Sequence, residues 1–539
     1  MDKRAFIAIL LSLVILIAWQ EWMSRYYSPP PQPPETPARR EATKSSPVAT
    51  PQAVPAQTAA PGVPATALPA QPARDVRVET DDYIAVFTNQ GARLKSLKFK
   101  HYRMSAERQS PPYDFIASEP GVPLPLGLRW NATSLINDDN LVYAVAGTNL
   151  KLTGEAKGTL SFNAQAPDGS VASKTFSFSG SGYQMQMETS VKTPAGNGIA
   201  PAITLTEKSD PTHHDPGAPF EGLIALVDGK IKRESSVEPN NALEFTGDIA
   251  WAGFGHTYFF FALLPENGAQ HRLTLSHTGA SLTAALSAPA GNALQRYTVF
   301  IGPKDLDLLK SVGKDLDKSI DFGWFSIISI PLLSALHFSH RFTASYGIDI
   351  ILLTILIKLF MAPLTHKSFV SMKAMQKLTP QMARLKEQYK DDKEKLNKEI
   401  MELYRRNGVN PLGGCLPMVL QFPVFIGLYN ALSTPIELRH APFMWIKDLS
   451  QPDWKSLPFS MGGWDLGVPV LTILMGASMF LQQWMTPSAG DPNQRRMMLM
   501  MPLVFTFMFV TFPAGLTIYW LVNNVLSIAQ QYWINRYTS

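Results

Sequence analysis

The last part of the chain contains 39 consecutive residues, from Met497 to Asn535, without an acidic or basic side chain. This stretch is far longer than the roughly 20 residues that an α-helix needs to cross a bilayer. The segment Phe512–Gly515 (FPAG) lies near its middle, and proline and glycine end helices. The stretch is therefore predicted to form two spanning helices. The first of these two helices would be roughly 24 Å long, which is shorter than the hydrocarbon core of about 30 Å. A locally thinned bilayer is therefore expected.

Further apolar runs predict four more membrane spans, which makes six. They begin at Ala5, near position 345, at Cys415 and at Leu466. The first run follows charged residues as a signal sequence does, but no cleavage site of small residues follows it. Residues 1–23 are therefore expected to remain attached as a signal-anchor helix.

The distribution of basic residues predicts the topology. The segment between positions 366 and 411 carries eleven lysines and arginines, which assigns it to the cytoplasm. If the N-terminus is also cytoplasmic, an even number of spans separates it from this basic segment. The spans that begin at Ala5 and near position 345 already supply two, so the uncharged segment Phe322–His340 is not a span. We expect residues 321–342 to form an amphipathic interfacial helix, residues 24–342 to lie in the periplasm, and both chain termini to lie in the cytoplasm.

The segment before the second span divides into a linker and a folded domain. Residues 24–74 are rich in Pro, Ala, Thr and Gln and are predicted to be disordered and partly extended. Residues 75–320 contain short runs of alternating polar and apolar residues, such as DVRVET and KTFSFSG, which predict a large antiparallel β-sandwich. Within it, residues 251–265 are expected to form one buried strand, with His256 as a core residue.

Metal and disulfide chemistry find little support in the sequence. His213 and His214 are adjacent in a loop rich in proline and glycine, where solvated histidines are the usual interpretation. Cys415 is the only cysteine, so neither an intramolecular disulfide nor a paired-thiol metal site is possible. The formal net charge of +5 and the pI near 9.0 reflect basic residues that flank apolar runs. Membrane topology explains them better than nucleic-acid binding does.

The basic segment 366–411 is predicted to form a helical hairpin outside the membrane. Thr379 and Pro380 begin one helix, a pair of aspartates begins the next, and Asn407 and Gly408 end it. Two interpretations stay open. The hairpin is either a charged connector between spans or a docking surface for a ribosome, RNA or a partner protein.

One cation lies deep in the second predicted span. Lys358 stands among isoleucines, leucines and phenylalanine, where insertion scales assign a charge a cost of about 2.5 to 3.5 kcal/mol. The predicted spans also contain hydroxyls and amides, among them Thr354, Gln421 and Asn523. Together they suggest a hydrated groove for polar or acidic segments. Snorkelling of Lys358 and ordinary hydrogen bonds between helices are the alternatives.

Several motifs resemble those of one protein family, over the whole chain and in the same order. NGVNPLGGCLPMVLQFPVFIGLY at 407–429 is the most specific, and MAPLTHKSFVSMKAM, ELRHAPFMWIKDLS, DPNQRRMM and FPAGLTIYW accompany it. This chain resembles the YidC family of membrane protein insertases, in its Gram-negative form. The resemblance implies a periplasmic β-supersandwich of the sugar-binding type, followed by a five-helix insertase core at 343–539.

The resemblance also implies a site. Family members carry a positive charge, typically arginine, in a hydrophilic groove that is open to the cytoplasm and to lipid but closed towards the periplasm. Lys358 takes that place here and keeps the charge without the guanidinium fork. The groove residues expected here are Lys358, Thr354, Gln421, Phe422, Tyr519, Trp520 and Asn523. For Phe422 and Trp520, simple packing is the alternative interpretation.

The function implied is insertion and folding of integral membrane proteins in the bacterial inner membrane, without catalysis, cofactor or metal. The expected partners are nascent membrane proteins, the Sec translocon, membrane lipids and, through the hairpin, the ribosome and the signal recognition particle system. No specific nucleic acid is expected. Two alternatives remain: a small-solute or ion transporter with a periplasmic binding domain, and an enzyme acting through the sandwich. The predicted spans show no internal repeat and no central carboxylate, and the sandwich shows no convincing acid–base pair.

Overall fold

The computed structural model describes residues 72–537 apart from positions 108, 117–120, 131–135, 196, 209–219, 239–240, 267–269, 279–280, 290–293, 410–415, 457, 462–463 and 487–491. The predicted signal-anchor helix (1–23) and nearly all of the predicted linker (24–74) lie outside the described residues. The same is true of His213, His214 and Cys415.

The first half of the described chain consists of β-strands. They are β1 (Asp75–Glu79), β2 (Tyr83–Thr88), β3 (Arg93–Arg103), β4 (Pro112–Asp114), β5 (Gly127–Trp130), β6 (Ile136–Asn137), β7 (Ala144–Ala146), β8 (Leu150–Lys151), β9 (Lys157–Gln165), β10 (Val171–Ser179), β11 (Gln184–Lys192), β12 (Gly198–Ile199), β13 (Ala202–Lys208), β14 (Gly222–Val227), β15 (Lys230–Glu234), β16 (Ala242–Gly255), β17 (Phe259–Pro265), β18 (Gln270–Thr278), β19 (Ser281–Ser287) and β20 (Leu294–Pro303). Two short strands, β21 (Pro458–Met461) and β22 (Trp464–Gly467), follow much later and pair with each other.

Strands β1 to β20 form two sheets around one core. A five-stranded sheet has the order β4-β3-β2-β1-β8, and a 15-stranded sheet includes the path β6-β5-β13-β19-β18-β16-β17-β20-β11-β10-β9-β7. Among the described strands, only the β1–β8 pair is parallel. Phe87 of β2 lies 4.8 Å from Phe176 of β10, and Phe99 of β3 stacks on Phe259 of β17, also at 4.8 Å, measured between ring centroids. The prediction of a strand-rich, antiparallel domain is confirmed.

One buried ion cluster lies inside this domain. Asp138 approaches the Lys174 ammonium at 2.6 Å and the Arg93 guanidinium at 2.7 Å. Burial lowers the pKa of Lys174 to about 8. Burial also opposes ionisation of Asp138, but the charges of Lys174 and Arg93 outweigh it and hold the pKa of that carboxyl below its ordinary value. Asp139 also contacts the Arg93 guanidinium, so two carboxylates compensate the two cations.

The prediction of a single strand over residues 251–265 was wrong. β16 ends at Gly255 and β17 begins at Phe259, and the two pair antiparallel. Apolar residues occur on both sides of this turn, so the sequence pattern does not reveal it. His256 lies in the turn, and its Nε2 approaches Glu207 Oε1 at 2.9 Å.

The second half of the described chain is helical. Its helices are α1 (Leu306–Val312), α2 (Ser326–Thr343), α3 (Tyr346–Lys377), α4 (Thr379–Gln388), α5 (Lys393–Arg406), α6 (Leu416–Ser433), α7 (Val470–Met485), α8 (Pro492–Phe509) and α9 (Ala514–Tyr537). Among the described residues, α3 alone is both long and apolar enough to cross a membrane. Shorter apolar helical segments are Val419–Ser433, Val470–Met485 and Met497–Phe509. The six-span prediction stays a prediction.

The loop between α6 and α7 caps two helices. The Asp453 carboxylate accepts hydrogen bonds from the Leu471 backbone at 2.7 Å and from the Thr472 hydroxyl at 2.8 Å, at the start of α7. The backbone oxygens of Leu449 and Gln451 accept from the first residues of α9, each at 2.9 Å. Unpaired N–H groups at helix N-termini need such partners. The loop therefore fixes the starts of α7 and α9 at one end of the helical region.

Glycine allows close helix contacts at two places. A Cβ atom at Gly476 of α7 would clash with the Thr506 hydroxyl of α8, and one at Gly427 of α6 would lie 2.8 Å from Ile328 of α2. Small residues let helix backbones approach in this way.

Candidate substrate groove

Lys358 is half-buried on α3 and points to α9. Its ammonium donates a hydrogen bond to the Ser527 hydroxyl at 2.5 Å and lies 3.5 Å from the Asn523 side-chain oxygen. Both partners are neutral. The charge is therefore solvated by a hydroxyl and an amide of the neighbouring helix, which differs from a lysine extended along its own helix towards the interface.

Three groups along one face of α9 form a polar row. Tyr519, Asn523 and Ser527 are spaced four residues apart, which places them one above another on a helix. Tyr519 accepts a hydrogen bond from the Gln421 amide of α6, and the other two contact Lys358 of α3. Gln421, Tyr519, Asn523 and Lys358 are thus brought together as one row between α6, α9 and α3.

The remaining amides of α9 join helices in pairs. Gln530 donates to Thr365 of α3 at 2.9 Å, whereas Asn524 donates to the Ser478 hydroxyl of α7 at 3.0 Å. Gln531 donates to the Met485 carbonyl of α7 at 2.7 Å. Such contacts are ordinary hydrogen bonds between helices, and they hold α9 between α3 and α7.

Thr354 is buried one turn before Lys358. Its side chain is only 1% exposed, and the hydroxyl donates to the Ile350 carbonyl of the same helix at 2.6 Å. The structure therefore does not bring Thr354 into the polar row, because its hydroxyl is already paired within α3.

The two aromatic residues predicted for the groove lie in different environments. Phe422 of α6 is 60% exposed. Trp520 is half-buried and packs at 5.1 Å, between ring centroids, against both Phe425 of α6 and Phe509 of α8. Phe422 is available to a partner or to lipid, whereas Trp520 packs between helices.

Sequence reasoning missed Ser527. A serine in an apolar helix carries little signal by itself, because its hydroxyl usually bonds to the preceding turn. Ser527 indeed also donates to the Asn523 carbonyl, at 2.7 Å. Its spacing of four from Asn523, on the face of Tyr519, is the signal that points to it.

The helices around the row expose large apolar side chains. They include Phe360 of α3, Val419 of α6 and Phe507 of α8, which are 83%, 64% and 83% exposed. Exposed apolar surface of this kind marks contact with lipid or with another protein. The described residues contain no group of three or more His, Cys, Asp and Glu side chains placed to hold a metal ion.

Comparison with known proteins gives a consistent result over the whole chain. The family model "60Kd inner membrane protein" matches residues 338–539, and the model "YidC periplasmic domain" matches residues 75–335. The membrane protein insertase YidC of Pelobacter propionicus is 39% identical over 567 residues, covering 99% of both chains. That of Citrifermentans bemidjiense is 40% identical over 564 residues, again covering 99% of both.

This chain belongs to the YidC family of membrane protein insertases. It is an inner-membrane protein with a periplasmic domain, and it inserts membrane proteins rather than catalysing a reaction. A solved structure described as "Active YidC insertase crystal structure with the first transmembrane domain resolved" covers 86% of this chain and 93% of its own. It shows 17% identity and a TM-score of 0.37, and the assignment does not depend on it.

Membership in the YidC family gives the helical region its context. All members of the polar row lie in residues 338–539, the part of the chain that matches the inner membrane protein model. Lys358 is its cationic member. A lysine keeps a compact charge with three rotatable donors, whereas arginine would present a planar fork.

Proposed function

We propose that this insertase receives polar segments of nascent membrane proteins in a groove whose cation is Lys358. The observation that carries the proposal is the pairing of Lys358 with neutral groups of α9, at 2.5 Å to Ser527 and 3.5 Å to Asn523. A charge without a bound carboxylate keeps its attraction for an incoming acidic segment. The hydroxyl and the amide provide part of the solvation that water would otherwise supply.

The groove would lower the cost of moving a polar segment across the membrane. An unpaired polar group in hydrocarbon costs several kcal/mol. Lys358, Asn523 and Gln421 offer hydrogen-bonding partners part-way along that path. A locally thinned bilayer, expected because α8 is short, would shorten the remaining path of the polar segment across the membrane. The apolar client helix would then leave sideways over the exposed faces of α3, α6 and α8.

Helix directions support the six-span topology. Along α3, residues 350, 358 and 365 meet residues 515, 523 and 530 of α9, so these helices are parallel. α7 meets α9 in the same direction, through positions 478 and 524 and then 485 and 531. α6 is antiparallel to α9, since Gln421 meets Tyr519 of α9 whereas Tyr429, later in α6, meets Phe512, two residues before α9 begins. The second, fourth and sixth spans of a six-span protein must run in one direction, and the third in the other.

The domain organisation proposed for this chain follows the sequence boundaries. It comprises a signal-anchor helix (1–23), a linker (24–74), a periplasmic domain of supersandwich type (75–320), an interfacial helix (321–342) and a five-helix core (343–539). The N-terminus, the C-terminus and the hairpin 366–411 would be cytoplasmic, and residues 24–342 periplasmic.

The hairpin is proposed to contact the ribosome and the signal recognition particle system, which deliver nascent chains. The Sec translocon is proposed as a further partner of the protein. None of the side chains of α4 is buried, and Tyr404 of α5 reaches Met382 of α4 at 3.2 Å. Because so little apolar surface is buried between them, the two helices are expected to be mobile. Replacing residues 380–405 by a flexible linker should impair nascent-chain delivery. Normal insertion with unchanged ribosome association would refute this role.

Site-specific photocrosslinking tests the groove. A photoreactive amino acid at position 422 of α6 should crosslink a stalled nascent membrane protein. The matched control is position 473 of α7, because Ile473 is 53% exposed and Phe422 is 60% exposed. Equal crosslinking at both positions would contradict a defined groove and would indicate general contact along the apolar surface.

A further inference from the structure

A small pocket lies where the strand-rich domain meets the first residues of the interfacial helix. It has a volume of about 260 Å³ and lies between α1, the turn after it and the start of α2. Buried Phe322 and half-buried Ile330 contribute apolar surface to its wall. Four charged side chains also line it: Lys310, Asp317, Lys318 and Asp321.

The charges in this pocket are only partly paired. Lys318 lies 2.8 Å from Asp315, and Asp321 lies 3.7 Å from Arg233. In the described part of the chain, neither the Lys310 ammonium nor the Asp317 carboxylate has a hydrogen bond or ion pair. The pocket therefore presents one unpaired cation and one unpaired anion within the same small volume.

An exposed apolar stripe begins beside the pocket. Trp324 and Ile327 are each 82% exposed, and Phe338 and Phe342 are 62% and 77% exposed. From Ile327 onward, Pro331, Ser334 and then Phe338 continue this exposed face at helical spacing. In the membrane orientation proposed above, on which this inference rests, the stripe enters the outer leaflet and Trp324 lies at head-group depth. The pocket mouth then lies at the same depth.

We propose that this pocket binds the head group of a zwitterionic aminophospholipid. Its phosphate would contact Lys310 and Lys318, and its primary ammonium would contact Asp317 and Asp321. The acyl chains would extend along the stripe that starts at Trp324. A primary ammonium donates three hydrogen bonds to carboxylates, whereas a quaternary choline nitrogen donates none and an anionic glycerol head group carries no cation.

Lipid retention by the full-length protein tests this assignment. The protein is purified in detergent and given phosphatidylethanolamine, phosphatidylcholine or phosphatidylglycerol with identical acyl chains, and bound lipid is counted by native mass spectrometry. Phosphatidylethanolamine should be retained preferentially. Lys310→Ala and Asp317→Asn should each weaken this binding about tenfold, the effect expected for one charge-assisted hydrogen bond. Lys192→Ala, at an exposed lysine of β11, is the control and should change nothing.

Three results would overturn the lipid assignment. The first is equal retention of the three lipids, and the second is an equal loss of binding in Lys310→Ala and Lys192→Ala. The third is displacement of the lipid by an equal concentration of free phosphoethanolamine, since a soluble head group lacks the acyl chains that the stripe should hold.

A depth measurement separates this inference from the proposed orientation. Cys415 is the only cysteine, so Ile327→Cys in a Cys415→Ser background accepts a single spin label. A label within the bilayer or at head-group depth, together with equal retention of the three lipids, would overturn the lipid site alone. A label in water would overturn both the orientation and the site. A label at either membrane depth, together with selective retention of phosphatidylethanolamine, supports both.

Discussion

Arg439, in the loop after α6, donates a hydrogen bond to the backbone oxygen of Arg103 at the end of β3, at 2.8 Å. Its guanidinium also lies 5.1 Å from the ring centroid of Tyr113 and 5.8 Å from that of Phe259. Two residues that are 336 positions apart in the sequence thus join the strand-rich domain to the loop that caps α7 and α9. The periplasmic domain is therefore in direct contact with the helical region.

Arg439→Ala should loosen this junction. The variant loses a charge-assisted hydrogen bond and cation–π contacts, which are worth about 1.5 to 3 and about 0.5 to 2 kcal/mol respectively. Backbone amides of residues 436–453 should then exchange hydrogen faster by about tenfold or more, as measured by hydrogen–deuterium exchange. Arg384→Ala, on exposed α4, is the control. Unchanged exchange in the loop would show that Arg439 does not hold the junction.

Deleting most of residues 75–320 while keeping 321–342 should preserve insertion of simple clients with one or two spans. Every predicted groove residue lies after position 345, and the polar row is built by α3, α6 and α9 alone. The deletion removes the partners of Arg439, so a less stable protein is expected. Insertion should be measured at equal protein levels, and failure of simple clients under that condition would contradict this division of labour.

The contact between His337 and Glu437 should respond to pH. His337 Nε2 lies 2.9 Å from Glu437 Oε1, and this carboxylate, which favours the protonated ring, raises the pKa of His337 above its ordinary value. A raised pKa means that the folded protein favours the protonated ring. The stabilisation is therefore complete below the ordinary pKa of about 6.5 and is lost as pH rises through the raised value.

His337→Gln measures that contribution. The melting temperature of the wild-type protein should exceed that of the variant by about 1 to 2 degrees in mildly acidic buffer, and this difference should shrink as pH rises. His277→Gln, on β18, serves as the control. A difference that stays constant with pH would mean that ionisation of His337 does not contribute.

The helix pattern could be predicted from the sequence, because membrane helices are encoded by local apolar runs. The break near Phe512 is present, since α8 ends at Phe509 and α9 begins at Ala514. Lys358 and Asn523, which the sequence analysis assigned to one groove, lie 3.5 Å apart, measured between the ammonium and the amide oxygen. Local patterns cannot show which residues meet across long sequence distances, so the contacts of Gln421 with Tyr519 and of Arg439 with Arg103 required the structure. The turn at His256 was missed because the apolar pattern continues on both of its sides.

The role of Lys358 is tested by two substitutions that separate charge from packing. Lys358→Arg keeps a cation beside Ser527 and should preserve insertion, because it restores the residue that the family resemblance leads us to expect. Lys358→Ala removes the charge and leaves the Ser527 hydroxyl with its bond to the Asn523 carbonyl, so α9 keeps its own hydrogen bonding. Insertion of clients with acidic external tails should then fall by about tenfold, which corresponds to about 1.4 kcal/mol.

The decisive comparison uses one client in two forms, with an acidic and with an uncharged external tail. A groove cation attracts only the acidic form, so Lys358→Ala should impair that form much more than the other. A lysine that serves helix packing would instead produce equal losses for both forms, because altered packing of α3 against α9 does not depend on the tail. Equal insertion defects across the matched pair, at equal protein levels, would rule out attraction by Lys358 as the mechanism.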